Sequence, residues 1–122
     1  MVHPSYTILY VDNPPASVAF YSSLFAAEPV EASPTFGLFV LDGGLRFGLW
    51  SKHTVEPAAS APAGGMEIGI AVSAEGDVGV MHSRWVERGL PILQAPTRMD
   101  FGLTFVALDP DGHRLRVFCP CS

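Results

Sequence analysis

Charged residues are scarce in this chain. They make up 16% of its 122 residues, the formal net charge is -5, and there is no run of lysine or arginine. Such a sequence lacks the basic surface that nucleic acids and anionic lipids require, so we expect neither as a partner. The N-terminal MVHPSYT has no basic segment leading into an apolar stretch, and every apolar run is far shorter than the ~20 residues of a membrane span. We therefore expect a cytoplasmic protein.

Cysteine is almost absent. The chain has two, Cys119 and Cys121, in a Cys-Pro-Cys sequence at its C-terminal end. A disulfide between residues two apart would need a strained ring, and two thiolates without clustered partners do not make a closed zinc site. We therefore expect reduced thiols, as in a reducing compartment.

Apolar residues, in contrast, make up 48% of the sequence. With so few charges, the chain has more apolar surface than a small monomer readily hides. We therefore expect a homodimer.

The second half of the sequence repeats the first. Residues 6–12 (YTILYVD) and 67–73 (EIGIAVS) lie 61 residues apart, and a helix-like stretch follows each. The last strand patterns, residues 44–50 (GLRFGLW) and 112–118 (GHRLRVF), lie 68 residues apart, which predicts seven extra residues in the loops of the second copy. Two copies of one unit predict two similar sheets with a cleft between them.

Local signals divide each copy into elements. Asp12 and Asn13 followed by two prolines predict a helix that ends near Ala27, and a second helix is predicted at about residues 77–88. Strands are predicted at residues 5–11, 36–42, 44–50, 66–73, 92–97, 101–108 and 113–118.

The length suits one domain, residues 1–122. Residues 56–65 (EPAASAPAGG) have no periodicity and predict a loop inside it. The first unit then covers about residues 5–55 and the second about residues 66–119.

Two segments carry a family resemblance: the first-helix sequence ASVAFYSSLF at residues 16–25, and DPDGHRLRV at residues 109–117. With the tandem β-α-β-β-β pattern, they make the chain resemble the vicinal oxygen chelate superfamily of glyoxalases, bleomycin resistance proteins and extradiol dioxygenases. The resemblance implies an α+β fold in which two tandem βαβββ units form curved mixed sheets around a cleft. It does not specify a reaction.

The resemblance also implies four metal-ligand positions, on the first and last strand of each unit. In this sequence they fall on Tyr6, Gly48, Glu67 and Arg116. Glycine has no ligand atom, arginine is a permanent cation, and phenol is a poor ligand near neutral pH. Since only Glu67 could coordinate, we expect no catalytic metal and no cofactor.

Glu67 and Arg116 fall in the same unit, so we expect their charges to pair across the space that a metal would fill. The pair either neutralises itself or holds a polar group of a ligand. Removal of Arg116 is expected to cost about 3–5 kcal/mol, because it would leave Glu67 buried and unpaired.

Strand alternation predicts the rest of the cleft lining. If residue 48 faces the cleft, so do Arg46 and Trp50. Trp50 is either a core residue or a flat surface on which a planar ligand stacks. Thr104 and Asp100 are predicted to supply hydrogen-bonding groups. The same parity adds Ile8, Tyr10, Phe36, Leu38 and Val106 to the lining.

The segments GLWSK (residues 48–52) and FGLTFVALDPDGHRLRVFCP (residues 101–120) are similar to phenazine-resistance members of the superfamily. Those proteins bind a phenazine without metal, at a dimer interface, with a tryptophan at the position of Trp50. The resemblance implies metal-independent sequestration of a planar aromatic, phenazine-like antibiotic. Tyr6 and Arg46 depart from the pattern and leave the ligand's identity open.

Two other functions stay open. One is an enzyme of the superfamily, with Glu67 as general base or Tyr6 as general acid. The other is a scaffold that binds no small molecule. Binding predicts recovery of intact ligand, whereas catalysis predicts a product.

Overall fold

Each half of the chain forms one helix and one four-stranded mixed sheet in the computed structural model, which describes residues 2–120. The two units divide between Ala61 and Pro62. The predicted α+β fold of two tandem units is therefore confirmed.

The first unit contains β1 (Tyr6–Val11), α1 (Pro14–Phe25), β2 (Glu31–Ala32), β3 (Phe36–Val40) and β4 (Arg46–Ser51). Its strands lie in the order β1-β4-β3-β2, and β1 runs parallel to β4. The second unit contains β5 (Glu67–Ala71), α2 (Glu75–Glu87), β6 (Ile92–Met99), β7 (Gly102–Leu108) and β8 (Arg114–Phe118). Its order is β5-β8-β7-β6, with β5 parallel to β8.

The strand register confirms the repeat. Tyr6 lies opposite Arg46 in the first unit, and Glu67 lies opposite Arg114 in the second. The extra residues of the second copy do not lie in loops alone, as the sequence predicted. They lengthen β6 to eight residues, where its counterpart β2 has two, and β6 shifts register twice against β7. The two-residue β2 was not predicted, since so short a strand leaves no periodic pattern.

The first helix begins with the predicted N-cap and prolines. Asn13 caps α1 by accepting a 3.2 Å hydrogen bond from the backbone N–H of Ala16, and both prolines lie in the first turn. The helix ends at Ala26, which takes the left-handed conformation with φ 51°. The chain is thereby redirected into β2.

Aromatic rings hold α1 against one face of the first sheet. Tyr21 is fully buried, and its ring centroid lies 4.8 Å from that of Phe47 on β4. Phe25 approaches the same ring at 5.4 Å. Because strand side chains alternate, residues 46, 48 and 50 lie on the opposite face, which we call the helix-free face.

The second sheet is covered in the same way. Trp85 and His82 of α2 both place their rings 5.3 Å from Phe105 on β7. Leu115 and Val117 of β8 are fully buried beside them. Residues 114, 116 and 118 consequently lie on the helix-free face of this sheet.

Cys119 corrects the expectation of reduced thiols. It is fully buried after the end of β8 and is disulfide-bonded. Cys121 lies outside the described residues.

Gly37 generates a first prediction, because it lies where α1 crosses β3. A Cβ built at this position would collide with Cγ2 of Val18, a stiff β-branched side chain on α1. We expect Gly37→Ala to lower the free energy of unfolding by about 1–3 kcal/mol through overpacking, measured by urea denaturation followed by circular dichroism.

Gly79→Ala is the matched control. Gly79 lies inside α2 with nothing near its absent Cβ, so alanine should raise the free energy of unfolding by about 0.5–1 kcal/mol. Equal effects of the two substitutions would contradict the proposed contact.

Candidate functional site

Three aromatic side chains form a row across the helix-free face of the first sheet. Tyr10 lies opposite Trp50, and Phe36 lies opposite Trp50 from the other side, so the row crosses the adjacent strands β1, β4 and β3. The rings of Phe36 and Trp50 meet edge to face at 6.1 Å. With strands ~4.8 Å apart, the three residues span about 10 Å across the sheet.

Gly48 lies beside the aromatic row and is buried. Its neighbours across the sheet are Ile8 and Leu38. A Cβ at residue 48 would lie 3.2 Å from Phe36 Cζ and 3.3 Å from Ile8 Cγ1, closer than most real contacts allow. Two apolar side chains therefore lean over the position to which the family resemblance assigns a metal ligand.

Tyr6 and Arg46 lie beyond Gly48 on the same face of the sheet. They face each other in the register, and the Arg46 guanidinium carbon lies over the Tyr6 ring at 5.7 Å from its centroid. This distance is typical of a cation–π contact. Both residues are exposed. The helix-free face thus runs from an aromatic end to a cationic end.

A polar cluster lies at the other end of β1 and β4, just past the aromatic row. His53 Nε2 is 2.7 Å from Asp12 Oδ1, and Lys52 Nζ is 3.8 Å from the same oxygen. The hydrogen bond with His53, and then the charge of Lys52, lower the pKa of Asp12 below its ordinary value of 3.8. Sequence reasoning missed this cluster because its partners are 41 residues apart.

Arg116 organises the helix-free face of the second sheet. Its Nε donates a 2.7 Å hydrogen bond to Glu67 Oε1, so the expected ion pair is present. Its Nη1 donates to Gln94 Oε1 at 3.3 Å and to Thr104 Oγ1 at 3.2 Å. Gln94 was not predicted, because β6 departs from the register that its counterpart would suggest.

Thr104 is buried, and its hydroxyl donates to the backbone carbonyl of Val117 at 2.9 Å. Its proton is therefore engaged within the sheet. Asp100 lies apart from this cluster, in the exposed turn between β6 and β7. Contact of either residue with a ligand stays a prediction.

The Glu67–Arg116 pair is less buried than expected. The side chain of Glu67 is 38% exposed and that of Arg116 is 18% exposed. Water therefore reaches the carboxylate, and the large penalty expected for a buried unpaired charge does not apply.

The residues at the four family ligand positions do not fit a metal. Arg116 holds the Glu67 carboxylate, Gly48 lies beneath Phe36, and Tyr6 carries a cation above its ring. Within residues 2–120, no three His, Cys, Asp or Glu side chains come together in a way that could hold an ion. No chemical step is assigned to a metal.

The family model of the Glyoxalase/Bleomycin resistance protein/Dioxygenase superfamily matches residues 3–117. The chain belongs to this superfamily. The resemblance seen in the first helix and in the turn before β8 is thus confirmed.

Individual relatives bring the comparison closer. The chain is 34% identical to the phenazine antibiotic resistance protein EhpR of Enterobacter agglomerans, over 98% of this chain and 92% of that protein. It is 54% identical to an Agrobacterium tumefaciens protein of known solution structure, with a TM-score of 0.90 and 98% of both chains covered. A glyoxalase-related enzyme from Fulvimarina pelagi, at 23% identity and a TM-score of 0.84, shares the fold over 98% of this chain and 88% of that one.

Neither helix in the described part of the chain has the length and apolar character that crossing a membrane requires.

The contacts of Arg116 generate a second prediction. Lysine carries its donors on a single nitrogen and cannot reproduce the separate positions of the guanidinium Nε and Nη1, which together reach three acceptors. We expect Arg116→Lys to lower the free energy of unfolding by about 1 kcal/mol, measured by urea denaturation, a small value because Glu67 is partly exposed.

Arg114→Lys is the control on the same strand. Arg114 makes no ion pair within residues 2–120, so its substitution should change the free energy of unfolding by less than about 0.5 kcal/mol. A larger loss for Arg114→Lys than for Arg116→Lys would contradict the assigned contacts.

The Asp12 cluster generates a third prediction. Because the folded pKa of Asp12 is lowered, any stabilisation from this carboxylate is present at neutral pH and is lost as the pH falls through that lowered pKa. Carboxyl NMR titration should place the Asp12 pKa below 3.8. His53→Ala should raise it, and Lys52→Ala should raise it less. An Asp12 pKa unaffected by His53→Ala would refute the contact.

Proposed function

We propose that this protein binds a planar aromatic small molecule of the phenazine type on the helix-free face of its first unit and withholds it from its target. The observation that carries the proposal is the row of Tyr10, Trp50 and Phe36 across three adjacent strands. Binding requires no metal in this proposal, because the side chains present are unsuited to holding one.

The chemistry of the face supports stacking. Trp50 is the central member of the row and is only partly buried, so its indole is not enclosed as a core residue. Tyr10 is 44% exposed. Polar groups flank this apolar surface at both ends, with Arg46 at one end and the Asp12 cluster at the other. An apolar platform with a few polar groups at its ends is the usual composition of a small-molecule site.

The similarity to EhpR supports the class of ligand. At 34% identity over most of both chains, a shared mode of binding is a reasonable extension, while the compound itself is open. We propose a resistance role on this basis. The homodimer and the cytoplasmic location stay predictions.

Among the other predicted site residues, Tyr6 and Arg46 belong to the proposed face. Glu67 and Arg116 bind each other and are proposed to shape the second sheet's own polar surface. Contact of Glu67 or Arg116 with a ligand, which the sequence predicts, stays a prediction.

The stacking role generates a fourth prediction. Isothermal titration calorimetry with phenazine-1-carboxamide should show saturable binding, and Trp50→Leu should weaken it about tenfold because the stacking surface is lost. Trp50→Phe keeps a ring and should weaken it less. Mass spectrometry should recover the compound unchanged.

Trp85→Phe is the matched control. Trp85 is 5% exposed and packs on Phe105 under α2, so its substitution should leave the affinity unchanged. Equal affinity in wild type and Trp50→Leu would overturn stacking at this site. Conversion of the compound to a product, lost in a folded Glu67→Gln variant, would favour the enzyme.

A further inference from the structure

The two units place an arginine at the same position, but only one of the two has an acid beside it. Arg46 on β4 and Arg114 on β8 are equivalent in the repeat. The residue opposite Arg114 is Glu67, whereas the residue opposite Arg46 is Tyr6. The second sheet thus supplies a carboxylate near its arginines, and the first sheet supplies a neutral ring.

Within residues 2–120, Arg46 makes no ion pair. Asp42, in the turn between β3 and β4, is the nearest acid along the chain and does not pair with it. The Tyr6 ring face attracts the guanidinium at 5.7 Å but carries no neutralising charge. Arg46 is therefore an exposed cation that contacts the Tyr6 ring and lies on an otherwise apolar face.

The spacing connects this cation to the proposed stacking surface. Arg46 and Trp50 lie on the same strand and the same face, four residues apart, which corresponds to about 13 Å between their backbones. Gly48 lies between them and is buried beneath Phe36 and Ile8. A flat ring system that stacks at Trp50 can extend over these two apolar side chains, and the long arginine side chain shortens the remaining gap.

We propose that Arg46 binds an anionic substituent of the ligand, so that this site selects a planar aromatic acid, such as a ring-linked carboxylate, over its neutral analogue. Arginine suits this role because its planar guanidinium presents paired donors that match a carboxylate. The exposed Tyr6 hydroxyl is a second donor at the same end of the face. The inference rests on the proposed function, since it assumes stacking at Trp50.

The test compares two probes of nearly the same shape, phenazine-1-carboxylate and phenazine-1-carboxamide, by isothermal titration calorimetry. Wild type should bind the carboxylate about tenfold more tightly. Arg46→Gln should abolish this preference, while both probes still bind by stacking at Trp50. Arg46→Lys, which keeps the charge without the paired donors, should retain part of the preference.

Two controls make the result specific. Arg114→Gln changes the equivalent arginine of the second unit and should leave the preference intact. Raising the salt concentration from about 0.05 M to 0.5 M should weaken binding of the carboxylate but not of the carboxamide, because salt screens an exposed charge.

The outcomes separate this inference from the proposed function. Equal binding of both probes to wild type, or a preference that survives Arg46→Gln, would overturn the role of Arg46 and leave stacking in place. Failure of both probes to bind, with Trp50→Leu behaving like wild type, would overturn the proposed function as well.

Discussion

The packing of one helix against one face of each four-stranded sheet is the constraint on which the rest of this structure depends. In the first unit, Tyr21 and Phe25 of α1 close over Phe47, and this contact determines which strand residues are core. Every second residue then points away from the helix. Arg46, Gly48 and Trp50 owe their common face to this packing and not to any direct interaction among the three.

The same constraint explains what could be predicted from sequence. Apolar alternation and the offsets of 61 and 68 residues predicted the strands, and the observed pairing of Tyr6 with Arg46 and of Glu67 with Arg114 agrees with them. Contacts that depend on side-chain reach were harder to predict. Neither the Asp12–His53 hydrogen bond nor the contact of Arg116 with Gln94 has a local signal. The exposure of Glu67 and the disulfide of Cys119 were also predicted wrongly, because both depend on surroundings that periodicity does not report.

The helix-free faces carry other side chains at the positions where the family resemblance implies metal ligands. At one of these positions there is no side chain, and Phe36 and Ile8 lean over Gly48. Another position holds a cation, Arg116, whose guanidinium donates to three oxygen acceptors. One face is thereby made apolar and aromatic, and the other polar, although the two sheets share a strand order.

The parallel pairing of the first and last strands within each unit has a consequence for how the chain folds. β1 cannot pair until β4 has been made, nor β5 until β8 has been made, because the paired residues lie 40 apart in the first unit and 47 apart in the second. The antiparallel pair β3–β4, and the run from β6 to β8, need only short turns and are expected to form earlier. During synthesis, the first strand of each unit therefore emerges from the ribosome well before its partner strand. Until β4 has been made, Tyr6, Ile8 and Tyr10 belong to an apolar segment with no strand to pair with.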